Sequence, residues 1–147
     1  MAQPLINEVL VNCDPATAFD LLADVRNETR WTKGVSVAEL RSEEPVGEGA
    51  KFLTVYRGTD NDVTIAEFNR PQRLVVAAGN DRIDIDTTYT FTGENGGTRV
   101  VVSTDMMPKG FVAAFSPLLR LFMRRELASK YATFKRACDG QSDARSD

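Results

Sequence analysis

The sequence predicts an α+β fold, in which a seven-stranded antiparallel sheet is covered on one face by a long C-terminal helix. After an initial strand, residues 34–107 contain six short runs of alternating apolar residues, separated by turn residues such as ENGG at 94–97. Residues 117–138 instead place apolar residues every three or four positions, which is typical of an amphipathic helix. Since a meander of short strands leaves one sheet face to be covered, the helix is expected to pack there.

One strand and two short helices are predicted before the meander. The strand covers residues 5–12. Asp14 then suits a helix cap and Pro15 the first helical position, so DPATAFDLLAD is expected to begin a helix. The helical spacing resumes after Asp24, which predicts a second short helix over residues 25–31.

The remaining elements follow from the positions of turn residues. The meander strands are predicted at residues 34–41, 51–57, 63–69, 74–78, 83–92 and 98–107. A short helical turn at 110–115 is expected before the long helix, because Ser116-Pro117 suits a new helix start. The predicted apolar face of this C-terminal segment comprises Phe111, Phe115, Leu119, Met123, Leu127, Tyr131, Phe134 and Cys138. Residues 1–138 are expected to form a single domain, and the polar residues 139–147 a disordered tail.

Several classes of function are excluded by missing residue types. The chain of 147 residues contains no histidine, which excludes Ser-His-Asp and Cys-His catalytic units. Its only cysteines, Cys13 and Cys138, are expected to be free thiols, and without histidine they make a metal site improbable. No phosphate-binding or dinucleotide-binding glycine motif is present. We therefore predict no metal and no cofactor.

Charge and hydropathy make a cytoplasmic location the expectation. The net charge of −3 provides no general attraction to nucleic acid or to an anionic membrane. The N-terminal residues lack the pattern of a signal peptide, and no run of apolar residues is long enough to span a membrane. Charge is nevertheless uneven, because residues 109–136 hold seven basic residues and one acidic residue, Glu126.

The order of elements and four segments resemble a known family. The segments are VNCDPATAFDLLADVRNETRW, the VGEG turn, VTIAEFNRPQRLV and YTFTGENGGTRVVVSTD. They are similar to the START-like (SRPBCC) superfamily and, within it, to the polyketide cyclase/dehydrase family, over residues 5–138. The resemblance implies a helix-grip fold, in which a curved sheet grips the C-terminal helix around an apolar cavity. It implies no universal catalytic signature, because many such proteins are binders or carriers.

Strand alternation identifies the side chains expected to face this cavity. They are mostly apolar or aromatic, with a few hydroxyl groups whose burial would favour a ligand or water as partner. The predicted ligand-binding residues are Trp31, Phe52, Thr54, Tyr56, Ile85, Thr87, Tyr89, Phe91, Val102, Thr104, Met106, Phe115, Leu119 and Met123. Core packing without any ligand is the alternative for each of them.

Three residues are candidates for proton transfer. Strict alternation in the third meander strand places Glu67 with the apolar residues, where its carboxylate would have a raised pKa and serve as a general base. Exposure at a strand end is the alternative for Glu67. Tyr56 and Tyr89 are the other candidates. Trp31 is expected beside the cavity mouth, either contacting ligand or capping the sheet edge.

The start of the C-terminal helix carries more apolar residues than one sheet face can cover. Leu118, Leu121 and Phe122 lie off the predicted apolar face, and three arginines lie close to them in sequence. This surplus would line the cavity entrance, pack against a second subunit as a homodimer, or contact a membrane. Packing against the two small helices is the alternative without a functional role.

These observations leave three hypotheses. The first is a protein that binds or carries a small hydrophobic molecule, such as a lipid or a polyketide-like compound. The second is a cofactor-independent cyclase or dehydratase acting on a polyketide-like substrate by folding a flexible chain. The third is a partner-binding protein that acts through its surface.

Overall fold

The computed structural model describes the backbone of residues 3–146 and the side chains of residues 3–140. It shows a seven-stranded antiparallel sheet, short helical segments between the first two strands and a long C-terminal helix, which confirms the predicted helix-grip fold. The elements are β1 (Leu5–Val11), α1 (Pro15–Ala23), a 3₁₀ turn (Val25–Asn27), α2 (Glu28–Trp31), β2 (Val35–Leu40), β3 (Lys51–Tyr56), β4 (Thr59–Asn69), β5 (Arg73–Gly79), β6 (Ile83–Glu94), β7 (Gly97–Pro108), a 3₁₀ helix (Gly110–Phe115) and α3 (Ser116–Ser146).

The sheet has the strand order β1-β7-β6-β5-β4-β3-β2, so each strand from β2 to β7 pairs with its neighbour in sequence. The β6–β7 turn consists of Asn95 and Gly96, with φ angles of 52° and 82°. Asparagine and glycine tolerate these angles, which match the twist of a two-residue hairpin. The predicted start of β4 at residue 63 is wrong. The preceding turn is only Arg57-Gly58, also with positive φ, so β4 begins at Thr59.

The helices after β1 close one end of the sheet. The Asp14 carboxylate accepts a hydrogen bond of 2.8 Å from the backbone N–H of Thr17 and caps α1, as its position before Pro15 predicted. Phe19 on α1 is fully buried and packs against Phe91, with 5.3 Å between ring centroids. This end of the sheet is therefore filled core.

Helix α3 packs against one face of the sheet, and only its later turns have fully buried side chains. Leu127, Tyr131, Phe134 and Cys138 are buried, while Leu119 and Met123 are half-buried. Cys138 and Cys13 are both free thiols. The predicted apolar face was therefore right for these turns and wrong for Phe111 and Phe115, which are exposed because no described element covers them.

The backbone of α3 continues to Ser146, so the predicted helix end at residue 138 is wrong, while the disordered tail predicted for residues 139–147 lies largely outside the residues with described side chains and stays a prediction. Asp139 is described, and its carboxylate accepts a 3.0 Å hydrogen bond from the backbone N–H of Asn12. Among the described residues, no helix has the length and apolar character needed to cross a membrane. No cluster of three or more potential metal ligands occurs in that part of the chain either.

Candidate ligand-binding cavity

A cavity of about 270 Å³ lies between the sheet and the first half of α3. Strands β3 to β7 form its floor, α3 forms its roof, and the segment from α1 to β2 closes one side. From Leu127 onward the apolar face of α3 is buried, whereas Leu119 and Met123 are only half-buried and line the cavity.

The structure brings eight of the fourteen predicted ligand-binding residues together on the cavity wall. They are Thr54, Tyr56, Ile85, Thr87, Tyr89, Thr104, Leu119 and Met123. The six of these residues that lie on strands were predicted from the alternation of side chains, since side chains two residues apart on a strand point to the same face.

The other six do not lie on the wall. Phe52, Phe91 and Val102 are on the inward face but are buried in filled core, and Met106 packs against that core. Trp31 is buried against Phe134, with 5.5 Å between ring centroids, rather than beside the mouth. Phe115 is exposed on the surface.

Glu67 is a further correction. A β-bulge between Ile65 and Glu67 shifts the register of β4 against β5, and alternation therefore fails at this point. The side chain of Glu67 is 41% exposed and lies 3.0 Å from the guanidinium of Arg73. Glu67 does not reach the cavity, which excludes it as a general base there.

Most of the cavity residues outside the predicted ligand-binding set come from elements other than β3, β6 and β7. They are Leu22, Val25, Glu28, Thr32, Val35, Asn61, Val63, Val76, Ala78, Gly79, Asn80, Ile83, Phe122, Glu126, Leu127, Lys130 and Tyr131. Glu126 and Lys130 are four residues apart beside the apolar face of α3. That spacing was the available signal that charged groups also face the cavity.

A largely buried ion pair forms one polar region of the wall. The ammonium of Lys130 lies 2.9 Å from the Glu28 carboxylate, and their side chains are only 13% and 17% exposed. The second oxygen of Glu28 accepts a hydrogen bond from the Thr32 hydroxyl. Burial lowers the pKa of Lys130, but the charge and hydrogen bond of Glu28, together with the interactions with Tyr89, outweigh burial, and the pKa is raised overall. Lys130 is therefore charged at neutral pH.

Two tyrosine hydroxyls adjoin the ion pair. Tyr89 and Tyr131 share a hydrogen bond of 3.1 Å, and the Lys130 ammonium lies 5.4 Å from the centre of the Tyr131 ring. Burial raises the pKa of Tyr89 and raises that of Tyr131 well above its ordinary value of 10. Both hydroxyls stay protonated at neutral pH, so they donate hydrogen bonds and do not act as bases.

Tyr56 belongs to a second polar region near the start of α3. Its hydroxyl lies 3.4 Å from the Glu126 carboxylate and accepts a 3.1 Å hydrogen bond from Arg57. Burial raises the pKa of Tyr56, and its hydrogen bond with Arg57 opposes that rise. Arg57 also lies 3.3 Å from Glu126, which completes the group.

The polar region around Glu28, Lys130 and the two tyrosines presents donors rather than acceptors to the cavity. Glu28 already accepts from Lys130 and Thr32, whereas one of the two tyrosine hydrogens has no acceptor among the described side chains. The Thr104 hydroxyl is buried with no hydrogen-bond partner in the described residues. An unpartnered buried hydroxyl costs about 1–3 kcal/mol, so an oxygen acceptor in the cavity would be stabilised there.

The fold and this apolar cavity define a helix-grip protein, and comparison with known proteins identifies its family. The model of the family described as polyketide cyclase/dehydrase and lipid transport matches residues 6–139. The chain belongs to this family, as its sequence segments predicted. No curated protein matches it.

Solved structures share the fold at low sequence identity. The protein TTHA0849 from Thermus thermophilus is 16% identical with a TM-score of 0.71, and the match covers 95% of this chain and 99% of that one. A START superfamily protein from Mycobacterium smegmatis is 10% identical with a TM-score of 0.68, over 97% and 99% of the two chains. The di-domain ARO/CYC protein BexL of the BE-7585A biosynthetic pathway is 12% identical with a TM-score of 0.72, covering 92% of this chain and 50% of BexL.

Proposed function

We propose that this protein binds one small, largely apolar molecule in the cavity between the sheet and α3. The observation that carries the proposal is an apolar cavity of about 270 Å³ whose polar groups are gathered in a few places. Ligand sites typically combine such a wall with a small number of polar groups that fix orientation. The family, whose description includes lipid transport, supports a ligand-binding role.

The proposed ligand carries an uncharged oxygen acceptor, such as a ketone, ester or amide carbonyl. The acceptor would face the tyrosine pair and Lys130, where unused donors lie. A carboxylate is less favourable because Glu28 already neutralises Lys130, and a second buried anion would lack a counter-ion. An amine is less favourable because it donates hydrogen bonds, and the Glu28 carboxylate already accepts hydrogen bonds from Lys130 and Thr32.

Binding is better supported than catalysis. A cyclase or dehydratase needs a group that removes a proton near neutral pH. Burial raises the pKa of Tyr89 and Tyr56, which opposes that role, and Glu67 lies outside the cavity. The two cavity carboxylates, Glu28 and Glu126, are engaged in ion pairs. The family description names both cyclases and lipid transport, and it is therefore compatible with catalysis and with binding.

Filling the cavity tests the proposal. Thr87 lies on the cavity wall, whereas Thr90 is exposed on the other face of the same strand. We expect wild type to bind the neutral apolar dye Nile red with a stoichiometry of about one, and Thr87→Trp to weaken binding about tenfold or more by occupying the cavity. The matched variant Thr90→Trp should bind like wild type, as measured by fluorescence titration.

Thermal unfolding must first show that both tryptophan variants are folded, because overpacking costs about 1–3 kcal/mol. If folded Thr87→Trp binds the dye as tightly as wild type does, the dye binds outside the cavity, and the proposal is contradicted.

A further inference from the structure

One end of the molecule exposes a group of large apolar side chains. They lie on the 3₁₀ helix of residues 110–115 and on the first two turns of α3. We call this surface the apolar tip, and its residues are Phe111 (77% exposed), Phe115 (55%), Leu118 (67%), Leu121 (51%) and Phe122 (39%). Isolated exposed apolar residues are ordinary, but five together mark an interaction surface.

A cluster of unneutralised positive charge lies beside the apolar tip. Arg120, Arg124 and Arg125 form no ion pair with any described carboxylate, and residues 110–125 contain no acidic residue. Arg120 donates a 2.6 Å hydrogen bond to the backbone carbonyl of Gln3. Together with residues 4–7, Arg120 and Arg124 line a surface pocket of about 320 Å³, so two guanidinium groups can face one anion.

We propose that the apolar tip docks on an anionic lipid surface. Phenylalanine and leucine side chains insert at the boundary between headgroups and acyl chains, while neighbouring arginines bind phosphate groups. The contact is peripheral, because no helix among the described residues can cross a bilayer. The rest of the chain is acidic, with a net charge of −3 overall, so the arginine cluster orients the molecule with this end toward the lipid.

The arginine cluster also argues against a second copy of the chain as the binding partner of the apolar tip. A symmetric dimer presents the same patch on both subunits, so the arginine clusters of both subunits would be brought into one interface. Like charges without counter-ions oppose that arrangement. Anionic headgroups instead supply the opposite charge.

The tip adjoins the cavity. Phe122 belongs to both, since it is 39% exposed and also lines the cavity wall. The Arg57 guanidinium lies 5.3 Å from its ring centre and connects the tip to the β3–β4 turn. Docking would therefore bring lipid to the edge of the cavity. The docking proposal rests on exposure and charge, and does not depend on the proposed ligand.

Vesicle binding tests the proposal by cosedimentation with phosphatidylcholine alone or mixed with phosphatidylglycerol. We expect wild type to bind the anionic vesicles about tenfold or more tightly than the neutral ones. Arg124→Gln/Arg125→Gln should weaken that binding about 25-fold, about fivefold for each arginine. Leu118→Ser/Leu121→Ser should weaken it about tenfold or more by removing apolar area.

The control is Arg41→Gln/Arg73→Gln, which removes two exposed arginines far from the tip in sequence and should bind like wild type. All variants alter exposed side chains, and unchanged thermal unfolding would verify their folding. The proposal is overturned if wild type does not bind anionic vesicles, or if the Arg124/Arg125 variant binds them as tightly as wild type. Sedimentation analysis showing a dimer that Leu118→Ser/Leu121→Ser dissociates, without vesicle binding, would assign the tip to a second copy.

Discussion

Replacing Lys130 with methionine is expected to lower the free energy of unfolding by about 3 kcal/mol. The change leaves the Glu28 carboxylate on the cavity wall with the Thr32 hydroxyl but without its charged partner. Removing one member of a buried ion pair costs about 3–5 kcal/mol, and we expect the lower end because both side chains keep some contact with solvent. Urea unfolding at pH 7 measures the change.

The double variant Glu28→Gln/Lys130→Met removes both charges and should recover most of the loss. Arg73→Met breaks an exposed pair with Glu67 and should cost less than about 1 kcal/mol. Because the pKa of Lys130 in the folded state is raised above 10.5, the contribution of the Lys130 charge is complete at neutral pH, and on the alkaline side it is lost as pH rises above that value. If Lys130→Met lowers the free energy of unfolding no more than Arg73→Met does, the Glu28–Lys130 pair is effectively solvated and the prediction is wrong.

Leu127→Ala should destabilise the fold by about 2–5 kcal/mol, whereas Leu121→Ala should change stability by less than about 1 kcal/mol. The two substitutions are identical and lie on the same helix, six residues apart. Leu127 is 6% exposed at the point where α3 meets the sheet core, while Leu121 is 51% exposed on the apolar tip. Thermal or urea unfolding of the two variants gives the comparison.

If Leu121→Ala and Leu127→Ala lower the free energy of unfolding by similar amounts, Leu121 belongs to the core and the apolar tip is not exposed in solution. That result would also remove the basis for lipid docking. Leu119→Ala should fall between the two, because Leu119 is half-buried against the cavity rather than packed in core.

The fold could be predicted almost completely, because its signals are local. Alternation marked the strands, Asp14-Pro15 marked the start of α1, and Asn95-Gly96 marked the β6–β7 turn. The same alternation placed Thr87 and Tyr89 on the inward face. Each of these features depends on residues close together in sequence, where the physical rule is strong.

The cavity could be predicted only in part, because its limits depend on distant contacts. Phe91 and Tyr89 share a face of β6, yet only Tyr89 reaches the cavity, since Phe19 of α1 covers Phe91. Glu28 and Lys130 are separated by 102 residues in sequence, and no local pattern joins them. Glu67 was misplaced because one bulge in β4 reverses the face of the residues that follow it.

An NMR titration of isotope-labelled protein with 2-undecanone tests most directly whether the cavity is the binding site. This ketone joins an apolar chain to one uncharged oxygen acceptor. We predict that the largest chemical-shift changes occur at cavity residues such as Thr54, Thr87 and Tyr131, and that they saturate with one molecule bound. They should be absent in Thr87→Trp. Shift changes confined to the apolar tip, or a wild-type spectrum that the ketone leaves unchanged, would contradict a cavity that binds small apolar molecules.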